Sequence, residues 1–139
     1  MFTESDIDRI GRGVESRTLP KAEWTHAAHF AALVWLITQS TRVAERDMPE
    51  LIRAYNEATD TPNTDESGYH ETITQASIRA VRAFLRGQPD LSRAEALGQL
   101  LASRLGRSDW LLAHYSHERL FSVAARREWV EPDLAPLPV

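Results

Sequence analysis

Cysteine is absent from the 139 residues. That excludes disulfides, thiolate metal sites and a cysteine nucleophile. Long apolar runs are missing as well. The longest, residues 27–37, is interrupted by His29 and is too short to span a bilayer. The opening Met-Phe-Thr-Glu-Ser-Asp has neither the basic start nor the apolar stretch of a secretory signal, so the expectation is a soluble cytoplasmic protein. Basic charge is not in excess. A net charge of −4 argues against nucleic acid as a partner, and Arg79, Arg82, Arg86, Arg104 and Arg107 read as a solvated helix face. There is no Gly-rich phosphate loop, no Gly-x-Ser-x-Gly elbow and no H-E-x-x-H zincin motif. The stretch Asp60–Glu66 lacks the glycine and the twelfth-position glutamate of an EF-hand.

What remains reads as helix throughout, because no segment shows sustained apolar–polar alternation rich in β-branched residues. Thr3 suits the cap of a first helix carrying Ile7, Ile10 and Val14. Pro20 suits the first turn of a second helix running to about Gln39, with His26, His29, Phe30, Leu33 and Ile37 on one side. A third segment, 42–58, contains Pro49, which predicts a break with a restart capped by Asp47. The polar run 60–68 is a loop, expected to form a mobile flap. Ser67 is placed to cap a fourth helix over 69–86, whose inner face reads His70, Ile73, Ser77, Ala80 and Phe84. Ser92 is placed to cap a fifth over 93–105. A sixth helix over 109–115, a short turn over 123–129 and an extended proline-rich tail complete the chain. The expected fold is all-α: a single domain over 1–139, a bundle of four main helices with shorter ones added.

The five histidines fall in three patches: Trp24-Thr25-His26-Ala27-Ala28-His29, Gly68-Tyr69-His70-Glu71 and His114-Tyr115-Ser116-His117-Glu118. Three-residue spacing puts two imidazoles on one side of a helix. Short connections make sequential helices antiparallel, so the starts of the second and fourth helices fall at one end of the bundle. His26, His29 and His70 would then point inward together. Three nitrogen ligands with an open position form a catalytic-metal pattern, suited to a divalent ion such as zinc, iron, nickel or manganese. Glu71 and Tyr69 are the catalytic candidates beside it. The alternative is a metal-free polar network of the same histidines with Thr25, Tyr69, Thr72 and Thr74, joining the two helices. Trp24 and Trp35 read as core residues before pocket walls. His114 and His117 lie where a helix is ending and read as ordinary helix-end residues.

Three segments resemble a family of small bacterial helical proteins with no established reaction. They are Leu19-Pro20-Lys21-Ala22-Glu23-Trp24-Thr25-His26, Ser67-Gly68-Tyr69-His70-Glu71-Thr72 and Trp129-Val130-Glu131-Pro132-Asp133-Leu134. The resemblance covers nearly the whole chain and implies a compact helical domain. Trp24, His26, His29, Tyr69, His70 and Glu71 match its signature. At Tyr115-Ser116-His117-Glu118-Arg119-Leu120 the family pattern is Tyr-Ser-x-Glu-Arg-Leu, so His114 and His117 are this chain's own. A looser resemblance, of architecture alone, is to helical-bundle metalloproteins of the DinB type.

Two functions follow as expectations. One is a metal-dependent, hydrolase-like enzyme in which the ion activates water or a small polar substrate. The other is a protein without chemistry: a binding module whose cluster holds an anionic small molecule at the helix N-termini, or simply fixes the fold, while an apolar face mediates self-association, or else a structural subunit of a larger complex whose proline-rich tail docks on a partner.

Overall fold

The structure, a computed structural model, describes residues 1–138. Among the described residues all regular structure is helical: α1 (Glu4–Ser16), α2 (His26–Ile37), α3 (Ala44–Ala58), α4 (Glu71–Arg86), α5 (Arg93–Ala102), α6 (His117–Leu120) and α7 (Val123–Arg127), with 3₁₀ turns at Lys21–Glu23, Arg104–Gly106 and Trp110–Ala113. Among these residues no helix is long and apolar enough to cross a membrane.

Helix α2 is the axis of the molecule. Its residues are apolar on every side, and Phe30 through Leu36 are all buried, the pattern of a helix surrounded by others. It packs against α1, α3, α4 and α5. The close approach of α1 depends on Gly11, since a Cβ there would lie 2.1 Å from Cδ2 of Trp35. Helices α1, α3 and α4 are amphipathic and turn Ile7, Ile10 and Val14, Met48 and Tyr55, and Ile78 and Val81 inward.

Several boundaries differ from the expectation for identifiable reasons. Helix α2 starts at His26 rather than near Pro20, because Thr25 takes the cap position and accepts the N–H of Ala28 at 3.2 Å. Helix α3 does not break at Pro49. A proline inside a helix deprives the carbonyl four residues earlier of its donor. That carbonyl, on Glu45, instead accepts from Gln75 Nε2 of α4 at 3.1 Å. Asp47 serves the true start of α3, accepting the N–H of Val43 at 3.1 Å and ion-pairing with Arg42 and Arg46. These donors hold its carboxyl well below the usual carboxylate range. Helix α5 starts behind Ser92, in a reciprocal capping box with Glu95, and stops at Ala102. The segment expected as a sixth helix is only the 3₁₀ turn Trp110–Ala113.

The loop between α3 and α4 is fastened rather than free. Asn63 receives bonds from Asn56 Nδ2 and the Tyr69 N–H and donates to the Arg53 carbonyl. Arg127 pairs with Asp65 at 2.6 Å, and Arg126 donates to the carbonyls of Gly68 and Tyr69. Gly68 sits at φ +78, where a Cβ would meet the Pro62 carbonyl oxygen at 2.4 Å, so the turn into α4 requires glycine. The segment after α7 is tied down in the same manner. Asp133 accepts from the Ser116 N–H and hydroxyl, the N–H of Leu134 donates to the His114 carbonyl, and Leu137 is buried.

Candidate functional site

The starts of α2 and α4 open onto two cavities that share the wall His29, Ile52, Ile73 and Thr74. The first has a volume of about 440 Å³. Its walls are mainly apolar, with Phe30 and Leu33 from α2, Met48 and Ile52 from α3, and Trp110 from the 3₁₀ turn. Leu112 and Phe121, both exposed, stand at its mouth. Its polar groups are His26, His29, Thr74, Ser77, Ser108 and Asp109. The second cavity, about 400 Å³, is more polar and includes Lys21, Trp24, Asn56, Tyr69 and His70.

The histidines differ in what their ring nitrogens do. His70 is the cap of α4, the position the sequence suggests for Ser67. Its Nδ1 accepts the N–H of Ile73 at 3.1 Å, so Nε2 carries the hydrogen and donates to the Leu120 carbonyl at 2.7 Å. Both nitrogens are spent on backbone, and the ring is buried. Burial also pulls its pKa below the usual histidine value, against the opposing effect of the Leu120 carbonyl. The predicted set of His26, His29 and His70 therefore does not present three open imidazoles to one ion. Among the described residues no group of three histidine, aspartate or glutamate side chains is arranged to hold a metal. With His70 spent on backbone, this arrangement leaves only His26 and His29 of the expected set with a nitrogen free.

His26 and His29 each keep one nitrogen free. His29 donates from Nδ1 to the Thr25 carbonyl at 2.7 Å, and its ring stacks on Trp24 with centroids 3.7 Å apart. His26 donates from Nε2 to the Leu105 carbonyl at 3.0 Å, its ring edge-on to Phe30. Among the described residues nothing partners His29 Nε2 or His26 Nδ1. The buried side-chain atom without a partner among those residues is a different one, Nε2 of His114. The free nitrogens of His26 and His29 are thus accessible atoms of rings that line the first cavity, His29 lining the second as well.

Burial lowers the pKa of His29 to about 4, opposed by the Thr25 carbonyl and reinforced by His26. Since the fold favours the neutral ring, the unfolded chain binds more protons below its ordinary value of 6.5. The resulting stability is complete above that value and is lost as pH falls toward 4. Urea denaturation across this window is expected to show a loss on the order of 2 kcal/mol from His29. His29→Gln removes the titrating group and is expected to flatten the same limb.

The catalytic candidates turn to each other. The Tyr69 hydroxyl donates to Glu71 Oε1, and its ring lies under Arg53 at 4.3 Å. Burial, then the bond to Glu71, pushes its pKa far above the ordinary tyrosine value. Tyr69 lines the second cavity, whereas Glu71 lines neither. The expected threonine network is also dispersed. Thr72 bonds the Glu128 carbonyl and the Val130 N–H, and Thr74 bonds the His70 carbonyl. His26 and His70 join α2 and α4 to the chain around Leu105 and Leu120 rather than to each other. His114 is buried against the tail, its Nδ1 donating to the Ala135 carbonyl at 3.2 Å, while His117 is exposed beside Phe121.

Met48, Leu112 and Phe121 join the site without a signal for it in the sequence. Met48 shows as a core position by its helical spacing alone, and the other two lie in segments too short to have a periodic face. Compared with family models, with curated proteins and with solved structures, the chain finds no match.

Proposed function

We propose that this chain is a small-molecule-binding domain whose ligand occupies the first cavity. The observation that supports this reading is an apolar space of about 440 Å³ lined by two imidazoles, each with one unspent nitrogen. Size and lining match the general character of ligand sites, apolar walls with a few polar groups that fix orientation. The exposed Leu112 and Phe121 belong to the mouth of that space. Binding is favoured over catalysis by the chemistry of His29. A ring that holds a proton only below about pH 4 accepts hydrogen bonds at neutral pH but is a poor general base.

The test is fluorescence titration with phenylnaphthylamine, an uncharged apolar probe that brightens out of water. Saturable binding is expected for the wild type. Ser77 faces the cavity from α4, so Ser77→Leu and Ser77→Phe fill it progressively. They are expected to weaken the probe about tenfold or more while the melting temperature holds. Binding that ignores both substitutions, or no binding by the wild type, overturns the proposal. Stoichiometric zinc uptake that is lost in His26→Ala and competes with the probe overturns it in favour of the metal reading.

A further inference from the structure

The polar groups of the first cavity have a consistent sense. Each ring nitrogen facing a carbonyl must carry a hydrogen, because a carbonyl only accepts. His26 therefore donates from Nε2 and His29 from Nδ1, and in the neutral rings the nitrogens left over, Nδ1 and Nε2, carry lone pairs. Asp109, also in the lining, adds a carboxylate that accepts from Arg107 at 3.1 Å. Thr74 has already given its hydroxyl hydrogen to the His70 carbonyl. Ser77 and Ser108 can serve either way. No lysine or arginine is among the described residues that line this cavity.

We propose that the ligand is an apolar molecule with a hydroxyl or N–H donor and no negative charge, its donor held by His26 Nδ1 or His29 Nε2. This rests on the cavity being a binding site and specifies what the site selects. An acceptor-only ligand would leave both lone pairs buried without partners, and a site built of acceptors rejects the analogue that lacks the donor. A carboxylate would face the same lone pairs and the Asp109 carboxylate, whose partner Arg107 is already spent on it, with no lysine or arginine in the lining itself. Burial keeps His29 neutral at pH 7, so it supplies no compensating charge. The anionic ligand expected from the helix N-termini meets a further obstacle at α4, where the His70 ring already takes the Ile73 N–H. The cation beside this space, Arg107, is already paired with Asp109, and Lys21 lies in the lining of the second cavity.

Three ligands of nearly one shape separate the possibilities: a naphthol, its methyl ether and the matching naphthoate, each titrated calorimetrically into the wild type near neutral pH. The naphthol is expected to bind about tenfold more tightly than the ether, with the naphthoate weakest. In His26→Met or in His29→Met the advantage of naphthol over ether is expected to shrink to a few-fold at most while the ether's affinity holds, and an advantage kept in both variants overturns the assignment to these two rings. Equal binding of naphthol and ether overturns the donor assignment and leaves the cavity reading intact. Tightest binding by naphthoate overturns it too and points to a cation, Arg107 or Lys21, as the ligand's partner. If none of the three binds, the cavity reading fails and this inference with it. The wild-type comparison is decisive even where the variant folds poorly.

Discussion

Gly11→Val is expected to destabilise the chain by about 3 kcal/mol or more in chemical denaturation. The cause is local and steric. The indole of Trp35 occupies the place where a Cβ would project, with Cδ2 at 2.1 Å and Cγ at 2.3 Å. Neither partner has an easy retreat. Trp35 is 7% exposed on the central helix, and Gly11 lies between the buried Ile10 and Gly13 on α1. A side chain therefore has to push α1 outward or the indole off its rotamer, and either movement opens the core around Ile7, Val14 and Phe30. Gly11→Ala meets the same clash but recovers up to about 1 kcal/mol of helix propensity, so it should fall between wild type and valine. Gly98 is the control. It sits in α5 with nothing within 4 Å of a built Cβ, and Gly98→Ala is expected to stabilise by about 0.5–1 kcal/mol. Combining Gly11→Ala with Trp35→Leu should cost less than the two changes added together, the signature of direct contact.

The sequence carried the helical architecture well where the signal was chemical and local. Thr3 and Ser92 cap α1 and α5 in reciprocal boxes with Asp6 and Glu95, as short polar residues before an apolar period do. It misled where a distant residue altered the local rule. Pro49 reads as a break, and nothing nearby reveals that Gln75, twenty-six positions on, bonds the carbonyl that the proline strands. The 3₁₀ turn Trp110–Ala113 has apolar residues but too few for a period to distinguish it from an α-helix. The candidate site divides in the same way. That His26 and His29 share a side of α2, and that His29 and His70 line one cavity, follows from spacing and helix order. What each ring nitrogen bonds does not follow, because the partners of His26 and His70 are carbonyls 79 and 50 residues away.

His70→Ala is where the two readings of the cluster differ most in their consequences. As a cap, the imidazole satisfies the Ile73 N–H at 3.1 Å and the Leu120 carbonyl at 2.7 Å, both through one buried ring. Alanine removes the first bond, which costs about 1 kcal/mol. It also leaves a carbonyl without its donor, at about 1–3 kcal/mol, so a total of roughly 3 kcal/mol is expected. His70→Asn should recover about 1 kcal/mol of this, since asparagine caps a helix well but is too short to restore the bond to Leu120. A residue whose main task was to ligate a metal would show a different order: alanine and asparagine alike in the metal-free protein, and both less stable than wild type only once zinc is added. Leu120 also belongs to the wall of the first cavity, so loosening its carbonyl should weaken the apolar probe in both variants. Ligand affinity and folding stability would then fall together at residue 70, whereas at Ser77 affinity falls alone. That contrast separates the side chain that holds the cavity in shape from the one that faces its contents.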